Sequence, residues 1–457
     1  MSETLDATER DADDEVLLRV QNLKKHFPVN DGFIDSVELT LDEGFPLGID
    51  DTAVKAVDDV SFDLREGETM GIVGESGCGK STLARTILGL EEPTDGTVEV
   101  RGLHVDELDR SEATEFRKTV QMVFQDPQSS LNPRRKVGEI IADPLEAAGW
   151  SESDRRSRAL ELLEDVGLER AYYDRYPHEF SGGQRQRINL ARALSIEPDL
   201  VVADEPVSGL DVSVQAQILE LMDDLQDEYG LTYLVISHDL SVVRHISDRL
   251  AVMYLGKFVE TGPTEAIFEE QHHPYAKALL SAVPNPDPSM PGVVSTVSGN
   301  VPSATDPPEG CPFHTRCPLF IVPEGFSEAA YEAFDDLYED LRDGEAAVED
   351  GTEAVRSEYF GDARLPSDAR SAVEAAVRAA ASGESDPASE LEPHRSVCQR
   401  EVPPLEATGD GRAAACHLDV SDGLPALDAG GSETGSKGDS GTGTGNDSGT
   451  GGEVDAS

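Results

Sequence analysis

The residues Gly74-Glu75-Ser76-Gly77-Cys78-Gly79-Lys80-Ser81-Thr82 spell G-x-x-x-x-G-K-S-T between a short apolar run and a helical stretch. Glycines at these spacings let consecutive backbone N–H groups curl around the oxygens of a phosphate, where side chains would obstruct them. A helix starting at Lys80 adds its N-terminal dipole. Lys80 is then placed to reach the β- and γ-phosphates of a nucleotide, and the Ser81 hydroxyl to ligate Mg²⁺. A second constellation follows the apolar run Leu200-Val201-Val202-Ala203, which ends in Asp204-Glu205-Pro206. Acids at the C-terminal end of a buried strand lie where α/β sheets bind ligands. Asp204 can hold Mg²⁺ through water, and Glu205 can polarise the water that attacks a γ-phosphate. Ser181-Gly182-Gly183-Gln184 opens a helical stretch and offers a second anion site.

These groups need an α/β body to hold them. From Val16 to about Pro284, short apolar β-branched runs alternate with helical periodicity, as in a mainly parallel sheet. Met70–Val73, Leu200–Ala203 and Tyr233–Ile236 read as buried strands, apolar without alternation. A helix is expected from Lys80 to about Leu90, and others over Ser153–Val166 and Gly182–Leu194. The stretch from about Phe116 to Leu194 is a candidate inserted helical subdomain. The run Val283-Pro284-Asn285-Pro286-Asp287-Pro288 cannot hold regular structure and marks a boundary. Four units are therefore expected: an acidic, disordered stretch 1–15, an α/β body 16–285, a smaller C-terminal cysteine-containing domain 286–420 and a disordered Gly/Ser/Thr/Asp-rich tail 421–457.

With Ser181-Gly182-Gly183-Gln184-Arg185-Gln186-Arg187 on the page between the phosphate loop and the acidic strand end, the chain resembles the ABC ATPases, a branch of the P-loop NTPases. The resemblance implies a P-loop NTPase core with an inserted helical subdomain, ATP and Mg²⁺ as ligands, and a head-to-tail pair of subunits. In such a pair, Ser181, Gly182, Gly183 and Gln184 face the ATP held on the partner's loop. Gln125 in Val123-Phe124-Gln125-Asp126-Pro127 resembles the Q-loop, which touches Mg²⁺ and water near the permease contact. Ser208-Gly209-Leu210-Asp211 resembles the D-loop, with Gly209 where the family more often has Ala, and His238 resembles the switch histidine that contacts γ-phosphate. The family stacks adenine on an aromatic near the first strand; Phe27 is the candidate, with Phe33 and Phe45 as rivals.

Within the family, Ser130-Leu131-Asn132-Pro133-Arg134 and Asp211-Val212-Ser213-Val214-Gln215-Ala216-Gln217 look like the ATPases of oligopeptide/dipeptide importers, a layout that nickel importers share. This implies two membrane permease subunits, a second ATPase subunit (the same chain or a different one), an extracytoplasmic solute-binding protein, and a place on the cytoplasmic face of the membrane. Soluble ABC ATPases acting on ribosomes or DNA usually carry two cassettes or a long coiled coil, and this chain has one set of motifs.

Composition agrees with that choice. Lys and Arg total 37 against 91 Asp and Glu, a formal net charge of -54, which repels nucleic acid and anionic lipid. No apolar run approaches the roughly 18 residues that span a bilayer, and Met1–Glu15 lacks the pattern of a secretion signal. Direct membrane insertion is not expected. The acid excess runs through the globular segments and fits a protein working in high salt, where counterions screen self-repulsion.

Cys311, Cys317, Cys398 and Cys416 make four potential thiolates in a chain expected to be cytosolic, where disulfides are rare. They could hold a 4Fe–4S cluster or zinc, or pack without a ligand. The resemblance of this region to the importer family's terminal domain favours the iron–sulfur cluster. Cys78 reads as a small residue inside the phosphate loop. Between the cysteine pairs, residues 319–397 carry 20 acidic residues against 6 arginines and no lysine, and read as a solvated elaboration with short helices.

Overall fold

The computed structural model describes residues 16–29, 53–126, 130–281, 299–348, 351–420 and 424. The expected N-terminal stretch, the tail from 425 onward, and the rival aromatics Phe33 and Phe45 lie outside these residues.

Five parallel strands form the frame: Arg249–Tyr254, Thr69–Val73, Thr232–Ser237, Leu200–Asp204 and Val120–Val123, neighbours in that order. The central three are buried along almost their whole length, which is why they read as continuous apolar runs. A second sheet of four strands is antiparallel and built on two long strands, Val16–Pro28 and Ala53–Arg65. Its inward residues Leu18, Leu23, Val57 and Leu64 pack with Ile72, Leu83 and Ile87 into one core. The other face of the parallel sheet meets helices Val137–Ala147, Glu152–Asp165 and Gly182–Leu194 through Ile141, Leu162, Ile188 and Val201.

The sequence boundary of the helical part needs correction. Phe116 lies in the core of the body, and Val120–Val123 is a strand paired with Leu200–Ala203. The helical part therefore begins after that strand.

The C-terminal region is not one smaller domain set apart. Glu406–Gly409 and Arg412–Ala414 extend the body's own sheet, with Ala414 opposite Glu260 and Ala413 opposite Thr261. Cys311 and Phe313 share a core cluster with the body residues Val73, Tyr254 and Tyr275. The acidic stretch between the cysteine pairs is also more than a solvated elaboration. Two 16-residue helices, Glu328–Asp343 and Ser367–Ser382, enclose a core of their own around Tyr331, Phe334, Leu337, Leu341, Val373 and Val377. Burying side chains of this size stabilises by about 1.5–3 kcal/mol each, which gives the unit an apolar core of its own.

Candidate active site

The loop between Thr69–Val73 and helix Lys80–Ile87 is shaped by its glycines. Gly77 and Gly79 have φ of +81° and +108°, in the region that only glycine enters without strain. A Cβ on Gly79 would lie 1.9 Å from the Ala56 carbonyl oxygen, so no other residue fits there. Lys80 follows, nearly buried, its ammonium donating to the carbonyls of Gly74 at 2.8 Å and Glu75 at 3.0 Å. The lysine is thus curled over the loop that a phosphate would enter.

A cleft of about 600 Å³ opens beside this loop. Ser76, Gly77, Gly79, Lys80, Ser81 and Thr82 form its floor; Phe27, Val54, Ala56 and Ala304 flank it, and Gln125, Glu205, Ser208 and His238 lie on its other side. Phe27 therefore sits where an adenine ring could stack, with the Lys25 ammonium 4.7 Å from its centroid. Ala304 reaches the cleft because its carbonyl accepts from the Lys55 N–H at 3.0 Å, laying a C-terminal segment along the strand edge.

Three elements bring the polar groups together. Ser81 donates to Asp204 at 3.3 Å, across 123 residues of sequence. Burial is the main reason the Asp204 carboxyl is raised above its usual range; the Ser81 hydrogen bond opposes it and the neighbouring Glu205 adds to it. Two hard oxygen donors side by side, one already disfavoured as a bare anion, suit a divalent cation. Glu205 has φ +49°, and its N–H donates to the Ile236 carbonyl at 2.8 Å. This turn aims the carboxylate sideways. One oxygen accepts from Gln125 Nε2 at 2.8 Å, and the other lies 2.7 Å from His238 Nδ1.

Not every predicted loop residue faces the cleft. Cys78 points into the core and is 4% exposed, and burial raises its thiol above the ordinary range. The Glu75 side chain turns away to Arg316. Sequence reasoning gave no sign of that partner, 241 residues distant.

Ser181, Gly182, Gly183 and Gln184 do not line their own chain's cleft. Ser181 caps helix Gly182–Leu194 in a reciprocal pair with Gln184, at 3.3 and 3.1 Å. A Cβ on Gly183 would meet Val214 at 2.4 Å, so the turn packs directly on the segment that follows Asp211. Asp211 caps the next helix, and its hydrogen bond from Ser213 at 2.7 Å holds the carboxyl below its usual range.

Residues 57–208 match the family model of the ABC transporter, and residues 259–321 match that of the oligopeptide/dipeptide transporter C-terminal region. The dipeptide transport ATP-binding protein DppF of Haemophilus influenzae is 50% identical over 302 residues, covering 66% of this chain and 88% of that protein. The oligopeptide transport ATP-binding protein AppF of Bacillus subtilis is 48% identical over 333 residues, 71% of this chain and 97% of its own length. The chain belongs to this family. OppF of Salmonella typhimurium, an oligopeptide transport ATP-binding protein, is 49% identical over 310 residues, 66% of this chain and 89% of that protein. Family membership accounts for the order of loop, signature turn and acidic strand end. The helical unit stands apart in one respect: residues 326–411 match a separate model, described as a domain of unknown function (DUF8228).

Proposed function

We propose that this chain is the ATP-hydrolysing subunit of an importer for oligopeptides or dipeptides, working through separate membrane permeases. The observation that carries this reading is the convergence of Gln125, Glu205 and His238 at a cleft floored by Lys80 and Ser81 in a chain of the peptide-transport family. Lys80 and the loop amides hold the β- and γ-phosphates, and Phe27 stacks on the base. Ser81, Gln125 and Asp204 are the groups that would hold Mg²⁺, which supplies charge neutralisation on the phosphate oxygens. Glu205 orients a water and takes its proton, while His238 and Gln125 fix the carboxylate's direction. Catalysis of this kind rests on positioning and electrostatics, with no covalent intermediate.

The signature turn Ser181–Gln184, remote from its own cleft, serves the ATP of a second ATPase subunit, so closure of the pair is coupled to hydrolysis. The permeases would dock beside Gln125, where exposed Phe124 and Leu90 line a mixed groove with Val105, Leu108, Arg117 and Arg192. Among the described residues no helix is long and apolar enough to cross a membrane; the importer reading itself puts the chain on the cytoplasmic face, where ATP is, through these partners. We also read the acid excess as suited to high salt.

We also propose that Cys311, Cys317, Cys398 and Cys416 hold a 4Fe–4S cluster, although burial as it stands favours the protonated thiols of Cys311, Cys317 and Cys416 over the thiolates that a cluster needs. Burial chiefly pushes the Cys311 and Cys317 thiols up to about 12, and the thiols of Cys398 and Cys416 are close enough to add to it. The Cys311 N–H donates to the Cys398 carbonyl at 2.8 Å, tying the two halves together. Among the described residues no group of three or more His, Cys, Asp or Glu is placed to hold a metal ion, so this reading rests on the number of thiols and on the likeness of the region to the importer family's terminal domain. Bound, it would cross-link segments that the helical unit separates in sequence. Anaerobically purified protein should be brown and contain iron and acid-labile sulfide; zinc in their place, or no metal, would defeat this assignment.

The function itself is tested by co-purifying the chain with its permeases and reconstituting them in vesicles with ATP. Uptake of short peptides is the expected result. Uptake of nickel with no peptide transport would change the substrate class, and no ATP-dependent uptake of any solute would refute the importer reading.

A further inference from the structure

We propose that Arg316 is a positioning residue of the nucleotide site: from the cysteine segment it grips Glu75 and so sets the shape of the phosphate loop. The proposal rests on the reading that Gly74–Thr82 holds a triphosphate.

Arg316 lies in the single turn His314–Arg316, between Cys311 and Cys317, and is 9% exposed. Its guanidinium meets both oxygens of Glu75, at 2.9 and 3.1 Å, in a two-pronged contact. One of the same nitrogens donates to the Tyr254 hydroxyl at 3.3 Å. The Glu75 backbone is held as well, its N–H donating to the Tyr275 hydroxyl at 2.9 Å. Tyr254, Tyr275 and Phe313 pack against one another with ring centroids 4.6 to 5.3 Å apart, which stiffens the wall from which these contacts come.

The arrangement has two consequences. A loop rich in glycine has little conformational preference of its own, so outside contacts decide which shape it holds. Glu75 sits between Gly74 and Gly77, and both its N–H and its carboxylate are fixed by groups outside the loop. The second consequence is electrostatic. A carboxylate in the loop that receives a triphosphate opposes binding unless it is compensated, and Arg316 supplies the opposite charge. Exposed ion pairs contribute little, but a forked pair on a nearly buried arginine is of the stronger kind, and removing one partner leaves the other charge uncompensated.

A purely structural role, pinning the C-terminal region to the body, makes different predictions from a role in binding. The test is equilibrium titration of the full chain with a fluorescent ATP analogue and Mg²⁺, together with KM and kcat for ATP. Arg316→Ala should weaken nucleotide binding and raise KM by about tenfold, with kcat at saturating ATP within about twofold. Arg316→Lys keeps the charge but loses the fork, and should cost about threefold. Adding Glu75→Gln to Arg316→Ala removes the stranded negative charge and should recover most of the lost affinity, an effect that pinning alone would not produce. If the alanine variant does not fold, the lysine variant decides: unchanged affinity there overturns the proposal. Wild-type affinity in folded Arg316→Ala, or no recovery in the folded double variant, also overturns it while leaving the ATPase reading intact. A wild-type chain that binds no ATP would refute that reading and this proposal with it.

Discussion

Replacing Glu205 with Gln is expected to lower ATP turnover by about three orders of magnitude while leaving ATP binding in place. The substitution is nearly isosteric, and the surroundings tolerate it. Gln125 Nε2, 2.8 Å from one carboxylate oxygen, still finds an acceptor in the amide oxygen. His238 Nδ1, 2.7 Å from the other, can accept from the new amide nitrogen in its Nε2-protonated form. What disappears is the negative charge and the capacity to take a proton from water. Because Lys80, Ser81 and the loop amides are untouched, the nucleotide still binds, and the pair of subunits should accumulate in its closed, ATP-bound form. Steady-state ATPase assays and gel filtration with ATP check both halves. Undiminished turnover would remove Glu205 from the role of base. Lost binding would mean that the carboxylate's charge holds the cleft in its binding shape rather than serving the chemistry alone.

The parts of the site that were legible in the sequence are those whose chemistry is local. Three glycines and a lysine in one short loop announce a phosphate cradle, because the positive φ values and close backbone approaches it requires are open to glycine. Strands such as Leu200–Asp204 were readable because a strand buried on both faces is apolar throughout. Contacts between distant segments leave no such trace. Nothing near Arg316 signals Glu75, and nothing in Arg412–Ala414 signals that it pairs with Glu260 and Thr261. The strand Val120–Val123 is only four residues long and follows its helix directly, so periodicity alone merged it with the helical part. The helical unit is obscured in the sequence for another reason. Tyr331, Phe334, Tyr338 and Leu341 recur at helical spacing and are buried, a stripe that was present in the sequence. The density of acids on the same segment masks it, because an acidic composition alone is also that of a solvated surface.

Those acids lead to the second large effect: dialysis into low salt should unfold the helical unit, with loss of helical circular dichroism and a lower melting midpoint. Helix Glu328–Asp343 carries five like-charge pairs four residues apart: Glu328 with Glu332, Glu332 with Asp336, Asp335 with Glu339, Asp336 with Asp340, and Glu339 with Asp343. Each such pair is destabilising by about 0.2–0.5 kcal/mol when unscreened, so this helix alone carries about 1–2.5 kcal/mol of repulsion. Two arginines compensate: Arg342, on the same helix, pairs with Glu339 and with Asp343 at 3.5 Å. Arg395, 5% exposed, is shared among Glu309, Asp335, Glu339 and Glu392 at 3.5 to 3.7 Å, four carboxylates to one guanidinium. In the body, the Asp223 carboxyl is raised chiefly by burial, and the repulsion of Asp224, Asp227 and Asp248 adds to it. At about 1 M salt the screening length is about 3 Å, shorter than the spacing of these pairs; at 0.01 M it is about 30 Å, and the whole charge of -54 repels itself. Ion pairs such as Arg395's strengthen as salt is removed, which works against the effect, but each base is outnumbered by acids and the balance favours repulsion. A melting midpoint that rises steadily with added KCl is therefore the expected signature. A spectrum and midpoint unchanged between low and high salt would show that the acidic surface is tolerated by the fold without any need for counterions.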